Sequence, residues 1–373
     1  MNLQNTHKFN YRWKLKDTVF TKDKGKVFSC FACGGGSTMG YKLAGFDVIG
    51  CNEIDPRMMK AYCYNHNPKY PFLEPIQDFK RRKDFPQDLY NLDILDGSPP
   101  CSSFSLSAVG KGRDKLWGTK KKFREGQAEQ VLDTLFFDFI ELAGLLKPKV
   151  VVAENVKGLL VGQARKYFYK ILNSFSEVGY YVLPFLLDAQ HMGVPQRRQR
   201  VFFICIRKDL APLVPCQQTL FDVIPTLDMN FREKPIPFSK CYDGKGRYFT
   251  QGGVKLERWK KRQYGDKKIS DITRRTENRI SNFNSRFVYM DKVCNTLTSE
   301  EDNILFNEPK YLSLGEVCCV STFPQDYNFM GNKPHYICGM SVPSVMMAQI
   351  SSRIYDQWLV KIHNYYKFNK ELI

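Results

Sequence analysis

Blocks of apolar residues change period along the first half of the chain. Residues 26–31 (Lys-Val-Phe-Ser-Cys-Phe) and 46–51 (Phe-Asp-Val-Ile-Gly-Cys) are short β-rich runs. Between them the pattern breaks at Cys33-Gly34-Gly35-Gly36. Residues 39–44 then resume with helical spacing, with Ser37 or Thr38 expected as the cap. Further on, the spacing predicts helices over 57–65, 128–146 and 164–176, and strands over 92–95 and 150–153. Residues 180–187 and 200–206 are again β-rich. Strands alternating with helices predict an α/β fold, a mostly parallel sheet covered by helices on both faces. In such folds the chemistry sits at the carboxyl ends of the strands.

The alternation stops near Arg207. Pro212, Pro215, Pro225, Pro235 and Pro237 punctuate the next hundred residues, and helical spacing returns at 311–319 and 342–358. The expected division is a polar lead-in over 1–25, a large domain over 26–206, a smaller one over 207–307, and a segment over 308–373 that returns to the first. At 373 residues the chain is long enough for this. No apolar run approaches the roughly 20 residues that span a bilayer, and residues 1–26 lack the apolar centre of an export signal. The expected location is cytoplasmic, with all twelve cysteines as thiols. Cys30 and Cys33 have metal-like spacing, but no second pair completes a zinc site, so no metal is expected.

Charge sharpens the picture. The chain carries 56 Lys and Arg against 38 Asp and Glu, a net +18, which suits a polyanionic partner. Residues 255–279 hold ten basic residues, Lys260 and Lys261 among them, against four acids, with Trp259 and Tyr264 interleaved. Cations neutralise phosphates while aromatic and polar tips meet bases and sugars, so this smaller domain is read as nucleic-acid-contacting.

Three loops carry candidate chemistry. The Gly34–Gly36 turn, with Glu53 about 20 residues on, suits a nucleoside-bearing cofactor whose identity the turn leaves open. After the 92–95 strand, Ser98-Pro99-Pro100-Cys101 aims a thiol with little freedom, because each proline fixes φ. Glu154 ends the 150–153 strand, and Arg198 and Arg200 alternate ahead of another. Residues 102–127 are basic and Gly-hinged, as in a lid that closes over a polyanion.

Taken in order, these pieces resemble the DNA (cytosine-5)-methyltransferase family. Residues 31–36 are similar to its cofactor turn and Asn52-Glu53-Ile54-Asp55 to its ribose-binding acidic motif. Ser98-Pro99-Pro100-Cys101 is similar to its nucleophile motif, Glu154-Asn155-Val156 to its Glu-Asn-Val motif, and residues 196–200 to its Gln-x-Arg-x-Arg motif. Residues 312–327 and 339–345 resemble its last two motifs. Two positions depart: Cys33 stands at the first turn glycine, and Met340 at the Asn of Gly-Asn-Ser-Val.

The resemblance implies a Rossmann-like catalytic domain, a target-recognition domain, S-adenosylmethionine as methyl donor with S-adenosylhomocysteine as product, and a cytosine flipped from duplex DNA. It implies Cys101 as the nucleophile on C6, Glu154 at N3 and the amino group, Arg200 at O2, and Arg198 supporting the loop or a phosphate. Phe31, Cys33, Gly34, Gly35, Gly36, Ile54, Leu135, Ser341 and Val342 would surround the cofactor, with Glu53 on the ribose and Asp78 on the adenine amino group. Pro99 (through its carbonyl), Pro100, Ser102, Lys111, Arg113, Thr296, Lys260 and Lys261 would meet the DNA. A monomer is expected, in a bacterial or phage modification system that leaves room for a cognate restriction endonuclease. A tRNA cytosine methyltransferase and a nucleic-acid-binding protein with an idle site are the alternatives. A nicotinamide dehydrogenase would leave the Pro-Pro-Cys and Glu-Asn-Val loops without a role.

Overall fold

The computed structural model describes residues 7–100, 134–162, 164–218, 223–278 and 285–371. By internal contacts the chain forms two units. One takes 19–187, 199–230 and 347–373, the other 1–18, 188–198 and 231–346.

The first unit is built on a seven-stranded sheet. In chain order its strands are β1 (Lys26–Cys30), β2 (Asp47–Glu53), β3 (Tyr70–Leu73), β4 (Ile94–Gly97), β5 (Val150–Val156), β6 (Tyr180–Asp188) and, after the short β7 (Gln196–Arg197) of the second unit, β8 (Gln199–Arg207). The spatial order is β3-β2-β1-β4-β5-β8-β6. Strands β3 to β5 are mutually parallel, and β8 runs antiparallel to β5. Helices α1 (Gly36–Leu43), α2 (Pro56–His66), α3 (Ile76–Phe79), α4 (Leu135–Leu146) and α5 (Ala164–Glu177) fill the connections.

Register decides which side chains share a face. Phe28, Leu95, Val151 and Cys205 stand in one row, and their face packs against Phe79, Phe139 and Phe175 of α3, α4 and α5. The neighbouring row, Cys51, Ser29, Asp96, Val152 and Ile204, faces the opposite way. Glu154, two residues beyond Val152, lies on that second face. The sheet thus has an apolar side, and a side on which buried carboxylates occur near the strand ends.

The second unit has its own core of Phe249, Leu256, Trp259, Ile269, Ile272, Phe287, Tyr289 and Ile304. It is formed by α6 (Val254–Lys260), α7 (Ile269–Glu277) and the parallel strands β11 (Arg286–Val288) and β13 (Asn303–Leu305), while β12 (Cys294–Asn295) pairs with β7. Helix α8 (Leu314–Ser321) starts at Ser313, whose hydroxyl accepts from Glu316 N while the Glu316 carboxylate accepts from Ser313 N. This reciprocal cap ends the extended chain at 311–312, so the expected helical start at 311 moves to Leu314. Helix α9 is Pro334–Met340. Helix α10 (Ser344–Ile354) starts after Pro343 and passes through a π-helical turn into α11 (Val360–Glu371).

These contacts redraw the expected boundaries. Residues 207–230, with the hairpin β9 (Cys216–Gln218) and β10 (Val223–Pro225), stay with the sheet: Trp358 Nε1 donates to Thr226 O at 2.8 Å. Residues 308–346 belong to the second unit, where Ser313 bonds Asp243 at 2.7 Å. Cys241 and Cys319 form a disulfide there, which corrects the expectation of twelve free thiols. The lead-in also divides. Trp13 is 8% exposed in the second unit and donates to Thr322 O at 2.8 Å. No helix among the described residues is long and apolar enough to cross a membrane.

Candidate functional site

The turn after β1 is tighter than its glycines require. Phe31 (φ 54°) and Cys33 (φ 47°) both take the left-handed conformation, as does Gly35 (φ 78°). For residues with a Cβ this costs on the order of 1 kcal/mol or more each, and neighbouring contacts hold them there. Cys33 N donates to Glu53 Oε2 at 2.7 Å, and Gly35 N donates to Ala32 O at 2.8 Å. Cys33 thus adopts what its family position demands of glycine.

Glu53 is the counterweight of this turn. Its Oε1 accepts from Ile54 N and Asp55 N, both at 2.9 Å. Burial nonetheless raises its pKa, against the pull of those amides. Three of a carboxylate's four acceptor positions are spent on the backbone, which leaves one on Oε2 for a hydroxyl.

Helix α1 begins at Gly36 with Gly35 at its cap and no side chain on its first amides. Ser37 and Thr38 therefore sit inside the first turn, which corrects the expected cap; Thr38 Oγ1 instead bonds the Tyr62 hydroxyl at 2.8 Å. An uncapped helix start offers N–H groups to an anion. With an acceptor left on Glu53 and Asp78 exposed at α3, these groups fit the carboxylate, ribose and adenine of S-adenosylmethionine. Phe31 and Ile54 are half-buried at the turn. Leu135, expected on the adenine wall, is instead fully buried in the core with Phe136 and Phe139.

On β5, Glu154 Oε1 accepts from Arg200 Nε of β8 at 2.8 Å, with the two side chains 11% and 16% exposed. The antiparallel register pairs Val156 with Arg200, which brings Glu154 and Arg200 together diagonally on one face. Asn155 does a different job. Its amide donates to Pro99 O at 3.2 Å while its own oxygen accepts from Val156 N at 2.8 Å. The middle residue of Glu-Asn-Val thus ties the Pro-Pro loop to β5, a role its spacing alone did not reveal. It also takes one of the two acceptor positions of the Pro99 carbonyl. Glu154 belongs to the strand, which runs on to Val156 beyond the expected end. Cys101, Ser102, Lys111 and Arg113 lie outside the described residues, as does the expected lid over 102–127.

Arg198 and Arg200 part company. Arg198 lies in the second unit, 2% exposed, donating to Leu297 O at 3.2 Å and Gly339 O at 3.0 Å. It supports a loop; its burial leaves no face for a phosphate. Thr296 donates its hydroxyl to Arg197 O at 2.7 Å, so the expected phosphate contact is replaced by a backbone tie. Ser341 and Val342 are buried in the same unit. Lys260 and Lys261 are both exposed, and Lys260 pairs with Glu257 at 2.8 Å. No His, Cys, Asp and Glu cluster among the described residues could hold a metal.

Two buried titratable groups near the turn escaped the sequence reading. Asp96, 2% exposed, accepts from Ser29 Oγ at 2.8 Å and Tyr41 OH at 3.2 Å. Burial, helped by the charge of Glu154, pushes its pKa up to about 7 against its hydroxyl donors. A carboxylate inside a buried strand was the available signal. His66, at the end of α2, donates from Nε2 to Gly34 O at 3.3 Å. Burial, with Lys42 adding to it, pushes its pKa down to about 3. The two oppose each other. The Asp96 contribution is present below about pH 4 and is lost as the pH rises toward about 7. The His66 contribution is present above 6.5 and is lost as the pH falls toward about 3. Asp96→Asn should therefore leave His66 unopposed, and its melting temperature should fall more steeply than the wild type's between pH 7 and 5. Parallel curves would show that Asp96 titrates normally.

The comparisons with known proteins agree with this geometry. The chain is 33% identical over 185 residues to the Type II methyltransferase M.NgoPII of Neisseria gonorrhoeae, covering 50% of this chain and 49% of that one. It is 32% identical over 208 residues to M.Eco47II of Escherichia coli, covering 54% and 44%. It thus spans about half the length of these curated relatives. Among solved structures, the S. pombe Dnmt2 methyltransferase matches at TM-score 0.56 and 13% identity, over 89% of this chain and 98% of that one. A Spodoptera frugiperda DNMT2 structure matches at TM-score 0.59 and 17% identity, over 88% and 99%; both likenesses speak for the fold. The family model described as C-5 cytosine-specific DNA methylase matches residues 25–356, from β1 to the start of the π-helical turn. The turn at Glu53, the Glu154–Arg200 pair and the Pro-Pro loop all fall within that match, and the chain belongs to the C-5 cytosine-specific DNA methylase family.

Proposed function

We propose that this chain transfers a methyl group from S-adenosylmethionine to C5 of a cytosine flipped out of duplex DNA, as a sequence-specific enzyme of a bacterial or phage modification system. The observation that carries the reading is the Glu154–Arg200 pair on the face beside the Asn155-tethered Pro99 loop. S-adenosylmethionine supplies an electrophilic methyl group on a sulfonium. The rest falls to the protein.

Cytosine C5 is a weak nucleophile. Cys101 adds its thiolate to C6, and the electron pair of the C5–C6 double bond moves toward C5. Glu154, in its acid form, gives the proton on the oxygen that Arg200 leaves open to N3 and accepts from the amino group, so the charge brought by the thiolate is neutralised on the ring. The proton returns to Glu154 when the thiolate leaves. Arg200 keeps Glu154 in place and presents its remaining N–H groups to O2. Once C5 carries the methyl group, a base takes the C5 proton. The C6–S bond then breaks, and Cys101 recovers its electron pair as thiolate. Asn155 ties the Pro-Pro loop to β5, the strand that carries Glu154.

A duplex library substituted with 5-fluorocytosine, incubated with protein and S-adenosylmethionine and then denatured, tests this. Fluorine at C5 cannot leave as a proton, so a covalent adduct through Cys101 is expected, and sequencing the retained strands reveals the target. An adduct formed only with substituted tRNA would replace DNA by RNA as substrate. No adduct with either would leave a binding protein with an idle site.

A further inference from the structure

The basic stretch of α6 and α7 is less available than its composition suggests. Arg258 pairs with Glu277, Lys260 with Glu257, and Arg275 with Asp266. Arg262 stacks on Trp259 at 3.2 Å and donates to Phe306 O. Three basic side chains of the stretch are thus paired with acids of the same stretch.

Residues 7–18 of the same unit show the opposite. The segment is pinned at several points. His7 Nδ1 donates to Glu233 Oε2 at 2.7 Å, and Gln325 N donates to Trp13 O at 2.8 Å. Trp13 is buried with its indole bonded to Thr322 O. Leu15 N and Lys16 N both donate to the Asp326 carboxylate, at 2.7 and 3.2 Å. Lys8, Arg12, Lys14 and Lys16 are exposed, and none pairs with a carboxylate among the described residues. The acids nearby, Glu233 and Asp326, are occupied by His7 and by backbone amides. Asp17 is the only acid in the stretch. Arg12 reaches Lys240 O at 2.9 Å, and the exposed Lys240 extends the same positive surface.

We propose that residues 8–16 form a phosphate-contacting strap of the second unit, through which it holds the backbone of duplex DNA independently of sequence. The anchors fix the backbone, so the four side chains meet phosphates without the ordering cost of a loose tail. Each phosphate neutralised releases a counterion, which makes the strap's share of binding readable from salt. The strap rests on the reading of duplex DNA as substrate.

The test uses the full chain and a short duplex of arbitrary sequence, titrated over a range of salt. Replacing Lys8, Arg12, Lys14 and Lys16 by Gln should lower the slope of log K against log salt by about 0.9 per lost contact, up to about 3–4 in all. Affinity for S-adenosylhomocysteine should stay unchanged. A triple variant that keeps Arg12, and with it the bond to Lys240, should lose up to about 3 of that slope, again at about 0.9 per contact. Wild-type binding with an undiminished slope in both variants overturns the strap and leaves the enzyme reading intact. A wild-type chain that binds no duplex removes the DNA reading, and the strap with it.

Discussion

Glu154→Gln is expected to slow methyl transfer by about 10²–10⁴-fold, the usual contribution of a placed proton donor or acceptor. Affinity for S-adenosylhomocysteine should be retained. Oε1 of Glu154 is already taken by Arg200 Nε at 2.8 Å, and a glutamine can keep that bond by presenting its own oxygen. Its NH₂ group then faces the base, where it can donate a hydrogen bond to N3 but cannot carry the proton or balance the charge that develops as Cys101 adds. The loss should therefore fall on the transition state, lowering kcat and kcat/KM together. Burst kinetics with labelled methyl donor, alongside calorimetric binding of the product, would separate the two. Equal losses in turnover and cofactor affinity would instead make Glu154 part of the fold of the turn.

The largest expected stability effect lies away from the reacting groups. Arg198→Met keeps much of the side-chain volume but removes both donors, leaving Leu297 O and Gly339 O inside the second unit without Arg198. At about 1–3 kcal/mol for each orphaned acceptor, a loss of about 2–6 kcal/mol is expected. The surroundings have little room to adapt. A Cβ at Gly339 would come within 2.0 Å of Thr298 O, so the two backbones already touch. Gln196, fully buried, accepts from Leu297 N at 3.1 Å and donates to Val320 O at 3.2 Å. Gln196 and Arg198 together clamp three remote segments to one short strand. Hydrogen exchange should show loss of protection around 295–298 and 337–341, with the sheet of the first unit unaffected. A cost below about 1 kcal/mol, that of a single ordinary hydrogen bond, would mean that Arg198 fills space and little more.

Strands β1, β2 and β4 were legible because period, glycine and proline mark their boundaries; β3 (Tyr70–Leu73), a four-residue strand at the sheet edge, carries no such mark and was not legible. Strands β2 and β4 run on to Glu53 and Gly97, two residues past their expected ends at 51 and 95. The partner of a motif residue was not legible. The spacing of Gln-x-Arg-x-Arg places Arg198 and Arg200 on alternate positions, yet one bonds carbonyls in the second unit and the other a carboxylate on β5. Local spacing carries no record of which remote segment arrives to meet a side chain. For the same reason the unit boundaries drifted from the proline-rich stretch to 230/231 and 346/347. Composition marked residues 255–279 as the basic surface and counted their four acids, but a count does not say which cations those acids meet.

The bond from Trp13 to Thr322 spans 309 residues of chain. On a ribosome adding roughly 5–20 residues per second, Trp13 waits about 15–60 s for its acceptor to be made. During that interval an indole and four unpaired cations trail from the nascent chain, while the sheet of β1 to β5 already has its strands in hand. Maturation of the second unit thus waits at least until Thr322 has been made. Translation speed over the whole stretch between Trp13 and Thr322 sets the shortest time for which that sticky segment stays open to the wrong partner.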